Sequence, residues 1–433
     1  LQTLNIYSYS QNKYNCIITG SDNDNILLNY EQGGLNRQTL NVANITFSKA
    51  YYIVSALVPV STSFTNCVFT NTQSDYYSVL MLVVTKPIYP YPTFNLTNCK
   101  FSGVTSNGAI MVDLTHYQIM IQEATVSGFN GANCFYFSSC NAEMHSLTIN
   151  NSTTSGAPIG TLSSNITLTD GLFNNNVGNL AGVISTYESE TPFSTTIIYS
   201  YFTNNTTPDN GGAIVLAQTS GQNTISSTFF ISNTVTANRG RGGAIYIDGS
   251  NANITSCTFT SNSASNGGQG GAIYIGSGST VSIANSKMNN NLATLGAAIF
   301  TNSSRLSFSS DTFSNNNASV GGSDVYCSSS SIDFGNSSLT APNSTAYACG
   351  ACNFINGPSN FQCGGSSSSN ESPKKHNDLN DKDKKIIIAV VCGGVGLIAI
   401  LIFIIIVYKR HHRRHHHHHH HHHHESSPLV YHH

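Results

Sequence analysis

The sequence predicts an all-β fold, a parallel β-helix, followed by one membrane-spanning helix. Three observations predict it: two columns of residues recurring at a near-constant interval, a composition almost empty of charge, and one long uncharged apolar run.

The first column is aromatic or aliphatic: Ile18, Phe47, Phe69, Phe101, Val126, Ile149, Phe173, Phe202, Phe230, Phe259, Met288 and Phe313, spaced by 22 to 32 residues. Asn follows three residues later at Asn176, Asn205, Asn233, Asn262, Asn291 and Asn316. The second column is Gly-Gly-Ala-Ile or a relative, read from Gly108, Gly182, Gly211, Gly242, Gly270, Gly296 and Gly321. A repeat of a few short strands cannot bury its own apolar face, whereas stacking closes a shared core. Strands stack ~4.8 Å apart, so about twelve rungs make a rod of ~60 Å. Alternation places Ala, Ile and Phe inside and Ser, Thr and Tyr outside, including Tyr246 and Tyr274 beside their Gly-Gly-Ala-Ile segments. Gly suits tight corners, and the Asn column is expected at another corner, because Asn tolerates left-handed backbone.

Two tetrapeptides, FxxN and GGA[ILV], alternate: FTNN at Phe202, FISN at Phe230, FTSN at Phe259 and FSNN at Phe313, with GGAI at Gly211, Gly242 and Gly270. This pattern resembles the polymorphic outer-membrane-protein repeat of chlamydial surface proteins, clearly over 170–326 and in degenerate form over 1–170. The resemblance implies a right-handed parallel β-helix displayed at a surface, often for adhesion. Those bacterial proteins end in an outer-membrane β-barrel, whereas this chain is expected to end in a helix. Its Asn/Ser richness and His tract look like those of a protist surface protein using the same repeat.

Charged residues make up 9% of the 433, and hydrophobic residues 39%. Low charge alone fits disorder, but the periodic apolar positions argue for order. Residues 1–363 hold fifteen acids and nine bases. Such a surface disfavours nucleic acid, having no excess of cations to neutralise phosphates. No signal-peptide pattern precedes LQTLNIYSYS, which already reads as solenoid, so a longer precursor is expected.

Ile386 to Val407 is a run of 22 residues without a charge, long enough to span a bilayer as a helix. KRHHRR follows, which by the positive-inside rule puts the C-terminus in the cytoplasm and residues 1–385 outside. The expected organisation is a β-helix ectodomain (1–326), a Cys-rich cap (327–363), a polar stalk (364–385), the transmembrane helix (386–407) and a basic, His-rich tail (408–433). Ten consecutive histidines, His415 to His424, are open to three readings: natural low-complexity sequence, an expression tag, or a metal- or pH-sensing tract.

Cys16, Cys67, Cys99 and Cys257 each stand two residues before the aromatic column, facing inward. They are either small buried fillers or partners in disulfides between rungs, whose spacing permits the bond. Cys327, Cys349, Cys352 and Cys363 cluster beyond the last repeat, where two disulfides closing a cap are expected outside a cell, with zinc bound at the CxxC as the alternative. Four cysteines allow three pairings. Asn-x-Ser/Thr sites at Asn44, Asn95, Asn165, Asn253, Asn302, Asn317, Asn336 and Asn343 are glycosylation candidates, with further sequons at Asn150, Asn151, Asn204, Asn205 and Asn370.

The β-helix is also the scaffold of pectin lyases and polygalacturonases, so fold does not decide catalysis. Glycoside hydrolysis needs two carboxylates at one bond. Asp113 and Asp248 are read as sharing a column, about five rungs or ~24 Å apart. Asp170, Asp209 and Asp311 fall elsewhere, Arg239 and Arg241 read as solvated loop charges, and His116 and His145 as strand-surface or packed residues. No catalytic residue and no cofactor is assigned. The expected function is a non-enzymatic surface binding or adhesion protein, with the membrane and an extracellular carbohydrate or cell-surface protein as partners. A polysaccharide lyase or hydrolase of the pectin-lyase-like fold is the alternative, and a passive spacer coat the third reading.

Overall fold

The computed structural model describes residues 2–7, 17–19, 28–30, 38–49, 53–74, 78–84, 87–187, 192–335 and 347–356. The expected stalk, transmembrane helix and tail lie outside these. Every regular element among the described residues is a β-strand, and no helix among them is long and apolar enough to cross a membrane.

The strands form four parallel sheets. Sheet A has 14 strands, from Gln2–Tyr7 to Asn353–Ile355. Sheet B has 12, from Ile17–Thr19 to Thr312–Ser314. Sheet C has 13, from Leu28–Tyr30 to Tyr347–Gly350. Sheet D has 10 short strands, from Gln73–Ser74 to Asn317–Gly321. One turn runs Gln222–Ser226 in A, Phe229–Ile231 in B, Thr234–Val235 in D and Ile245–Asp248 in C, before Asn251–Thr255 returns to A. The result is a parallel β-solenoid, of the right-handed type that crossover sterics favour.

The aromatic column is an inward column of sheet B. Register runs without a break through Ile18, Phe47, Phe69, Phe101, Val126, Ile149, Phe173, Phe202, Phe230, Phe259, Met288 and Phe313. Its rings stack along the axis: Phe173–Phe202, Phe202–Phe230 and Phe230–Phe259 centroids are 4.8, 5.1 and 4.8 Å apart. Such pairs are worth about 0.5–1.5 kcal/mol each beyond their burial.

The Gly-Gly pair meets two separate demands. Gly242 has φ +68, and a Cβ on Gly243 would overlap the carbonyl oxygen of Gly271 in the next rung. Ala244 and Ile245 then enter the core, both fully buried. The column aligns in sheet C as Ile184, Ile214, Ile245, Ile273, Ile299 and Val325. The segment at Gly108 departs from the expected alignment by two residues: Val112, not Ile110, stands in register with Phe135 and so with the later isoleucines.

The sheets continue past residue 326. Ser331–Asp333 and Asn353–Ile355 extend sheet A, and Tyr347–Gly350 extends sheet C with Cys349 opposite Cys327. Cys327 and Cys352 form a disulfide, and Cys349 is disulfide-bonded as well.

The Asn column is not a corner. The left-handed residue is the one before it: Asn175, Asn204, Ser232, Ser261, Asn290 and Asn315 have φ between 53° and 56°. The column asparagines point inward, and the five from Asn176 to Asn291 are fully buried. Each Nδ2 donates to the Oδ1 of the next: Asn176 to Asn205, Asn205 to Asn233, Asn233 to Asn262, Asn262 to Asn291 and Asn291 to Asn316, at 3.0–3.1 Å. The same Oδ1 atoms accept the backbone N–H of the preceding asparagine. The second Nδ2 hydrogen goes to a main-chain oxygen of the aromatic column, Phe202 for Asn233 and Phe230 for Asn262. Burying so many amides is tolerated because each donor is partnered. The ladder ends where Asn316 Nδ2 donates to Asp324 at 2.9 Å.

Candidate functional site

With the core closed by apolar columns and amides, function falls to the outward columns of the sheets, and these differ in chemistry. Sheet A presents hydroxyls and amides in register, among them Thr196, Thr224, Asn253, Ser282 and Ser307. Sheet D carries a second polar row, and Thr105, Asn130, Thr153 and Asn107 line a groove of about 450 Å³ there.

Sheet C carries an outward aromatic ladder. Tyr246, Tyr274, Phe300 and Tyr326 stack with centroids 5.2, 5.5 and 5.1 Å apart, nearly parallel. The stacking covers the ring faces, so Tyr274 is only 4% exposed, against the expectation of exposed tyrosines. Arg241 is no solvated loop charge either. Its guanidinium lies 5.0 Å over the Tyr274 ring, donates to the Tyr246 hydroxyl and feels the Asp248 carboxylate. Burial raises the Asp209 carboxyl above the usual range, and Arg241 partly offsets this. Arg239 is exposed at a left-handed position, φ 62°.

The acids do not assemble as the sequence placed them. Asp113 stands in register with Tyr136, in the column that leads to Tyr246, whereas Asp248 follows Ala217 in a different column. The two are therefore offset across the strands as well as five rungs apart along the axis, ~24 Å. Burial alone pushes the Asp113 carboxyl up to about 7. Asp311 is buried and accepts backbone N–H groups from Ser286 and Ser309, 2.7 and 3.0 Å away. Burial still pushes it up to about 6 against those bonds. Asp170 is an exposed corner residue. His116 is at a left-handed corner with Nδ1 2.6 Å from the Val84 oxygen, and His145 is on a sheet A strand. Among the described residues no group of three or more His, Cys, Asp or Glu is placed to hold a metal.

The inward cysteines Cys67, Cys99 and Cys257, with Cys134 and Cys140, are buried free thiols. Cys99 Sγ accepts the backbone N–H of Cys67 at 3.4 Å. Cys16 and Cys363 lie outside the described residues. Of the sequon asparagines, Asn253 and Asn317 are exposed, while Asn44, Asn95, Asn165 and Asn302 are half-buried. Asn165 is engaged on both sides, donating to Asn141 at 2.9 Å and accepting from the Ser194 backbone at 2.9 Å. Asn151 and Asn204 are exposed, and Asn150 is half-buried. Asn205 is locked in the buried ladder. Asn336, Asn343 and Asn370 lie outside the described residues.

One surface escaped the sequence reading. On sheet B, the outward column beside the aromatic one contains Leu172, Tyr201 and Phe229 in register. Leu172 and Tyr201 are 48% and 42% exposed, and the Tyr201 and Phe229 rings stack at 4.8 Å. Tyr199, 59% exposed, stands at the corner just before. The signal available in sequence was parity: Tyr201 and Phe229 directly precede inward phenylalanines, so they point out.

The Chlamydia polymorphic membrane protein repeat matches this chain at residues 199–216 and 256–276. Each segment holds an FxxN followed by a GGAI. No curated protein matches the chain. Among solved structures, the chain is similar to the crystal structure of Bacteriophage CBA120 tailspike protein 3, with 13% identity and a TM-score of 0.26. That likeness covers 75% of this chain and 59% of the tailspike chain.

Proposed function

From a chain that carries repeats of the polymorphic-membrane-protein type, we propose a non-enzymatic cell-surface binding protein, a β-helix held outside the cell by the single helix expected at 386–407. The observation that carries this reading is the chemistry of the outer faces. Long columns of Asn, Ser, Thr and Gln are stacked in fixed register on a rigid solenoid, while the ionisable residues are scattered among columns. Such a lattice recognises another surface through many weak hydrogen bonds and is poor in the paired acids that hydrolysis needs. The repeat itself supports surface display. Adhesion is the use such a display serves, with an extracellular carbohydrate or a cell-surface protein as partner.

The enzymatic alternative has one specific observation in its favour, Arg241 in the fields of Asp209 and Asp248. Arg241 is already engaged with Tyr246 and Tyr274, which makes the cluster a clasp on the aromatic ladder.

The test is topological. The full chain, tagged at both ends and expressed in cells, is probed with antibodies before and after permeabilisation. An N-terminal tag seen on intact cells and a C-terminal tag seen only after permeabilisation support the proposal. A C-terminal tag exposed on intact cells contradicts it.

A further inference from the structure

We propose that the outward platform of sheet B formed by Leu172, Tyr199, Tyr201 and Phe229 is a binding site for a neutral glycan; this rests on the surface-binding reading above and names its ligand class.

The platform is an apolar surface over three successive rungs, flanked by threonines on both sides in its column. Register in that column runs Lys100, Thr125, Thr148, Leu172, Tyr201, Phe229, Thr258 and Lys287. Three successive rungs span ~10 Å, the length of a short oligosaccharide. Alongside runs a second outward column of Asn174, Thr203 and Ile231, so on the first two rungs apolar surface lies next to an amide and a hydroxyl. A sugar offers the complement, C–H faces for the rings and hydroxyls for the amides.

Tyr199 adds an independent observation. It stands at the A-to-B corner in left-handed backbone, φ 52°, where other rungs use Asn or Ser, and in two cases Glu123 and Asp170. Left-handed backbone is costly for a bulky side chain, and among the positive-φ residues Tyr199 is the one that carries a phenol or phenyl ring. A serine would satisfy the corner at lower cost; the aromatic ring is kept where it adjoins Tyr201.

Charge selects neutral sugars. Among the described residues, Asp170 is exposed at the same corner one rung earlier. The cations of the column, Lys100 and Lys287, stand three rungs before Leu172 and two rungs after Phe229. An acidic glycan would meet a carboxylate and no cation, whereas a sugar hydroxyl can donate to Asp170. Area argues against a second copy of the chain: four side chains fall far short of the 20–30 residues a side in a stable protein interface.

The experiment uses the full chain in mild detergent, titrated with cellohexaose, chitohexaose, laminarihexaose, mannohexaose and an acidic heparin hexasaccharide. Binding is read by calorimetry and by tyrosine emission, which no tryptophan obscures because the chain has none. At least one neutral hexasaccharide is expected to bind, and Y201A, Y199S and D170N each to weaken it at least tenfold. Y199S places at the corner a residue the fold already uses there, so it is expected to leave the thermal midpoint unchanged or raised. Neutral-sugar binding unmoved by all three variants overturns the platform while leaving the surface-binding reading intact. Tighter binding of the heparin fragment, self-association lost in Y201A, or no sugar binding at all overturns the proposal. In the last case, retention of the full chain on intact cells shows whether the broader reading survives.

Discussion

Asn205 donates its Nδ2 hydrogen to Asn233 Oδ1 at 3.0 Å, across 28 residues of sequence, inside a solenoid where neither residue is exposed. The same Oδ1 accepts the Asn205 backbone N–H at 3.1 Å. One asparagine therefore fixes the register of two rungs, and the ladder repeats that contact from Asn176 to Asn316.

Asn233→Ala leaves two Asn205 donors without an acceptor and the Phe202 oxygen without its side-chain donor. Each unsatisfied buried group costs about 1–3 kcal/mol, so a loss of about 3 kcal/mol or more is expected in urea unfolding. Asn316→Ala, at the end of the ladder and 9% exposed, is expected to cost about half as much because water reaches the site. No loss of stability in Asn233→Ala would contradict the ladder.

Asp113 makes stability depend on pH. Its carboxyl titrates at about 7 when folded, against 3.8 in the unfolded chain. Between these values the folded state holds a proton that the unfolded state has lost, so stability falls as pH rises from about 4 to about 7. Asp113 keeps some exposure, which screens the effect. Asp113→Asn is expected to gain about 1–3 kcal/mol over wild type at pH 8 and less at pH 5, in thermal melts across that range. A constant difference between the two pH values would contradict it.

The five free thiols among the described residues are shielded by the core. Iodoacetamide on the native chain is expected to leave Cys67, Cys99, Cys134, Cys140 and Cys257 unmodified and to alkylate all five after denaturation, as read by peptide mass spectrometry. Cys327→Ser together with Cys352→Ser removes a bridge across a sequence separation of 25. The expected cost is about 3 kcal/mol, chiefly from the freed unfolded chain.

Passed through a secretory pathway, the chain is expected to carry glycans at the exposed Asn253 and Asn317. In the overlapping pair, Asn204 is expected to be used and Asn205 not, because the Asn205 amide is bound in the ladder. Peptide mass spectrometry after enzymatic deglycosylation reads each site, and occupancy at Asn205 would contradict the buried ladder.

The register of sheet B was legible residue by residue, because the inward aromatic position is bulky and repeats on every turn from Ile18 to Phe313. The Asn column was legible as a column but not in role. Asn is common at left-handed corners, and nothing local separates Asn204, at the corner, from Asn205, in the core. The sheet C alignment was correct from Gly182 to Gly296, slipped by one residue at Gly321, where Val325 rather than Asp324 meets Ile299, and slipped by two at Gly108, where a Gly-Ala-Ile string sits short of the strand register set by Val112. Arg241 read as solvated because its partners, Tyr246 and Tyr274, come from later positions in two rungs. The platform was missed for a related reason: Tyr201 and Phe229 sit beside inward phenylalanines, and only strand parity separates the two sets.

The central claim, binding without cleavage, is tested most directly by exposing the full chain to immobilised cell-wall and extracellular polysaccharides, recording retained protein and newly formed chain ends in the same wells. Retained protein with no new chain ends is the predicted result. New chain ends that disappear in D248N would contradict the account and place catalysis at the Arg241 cluster.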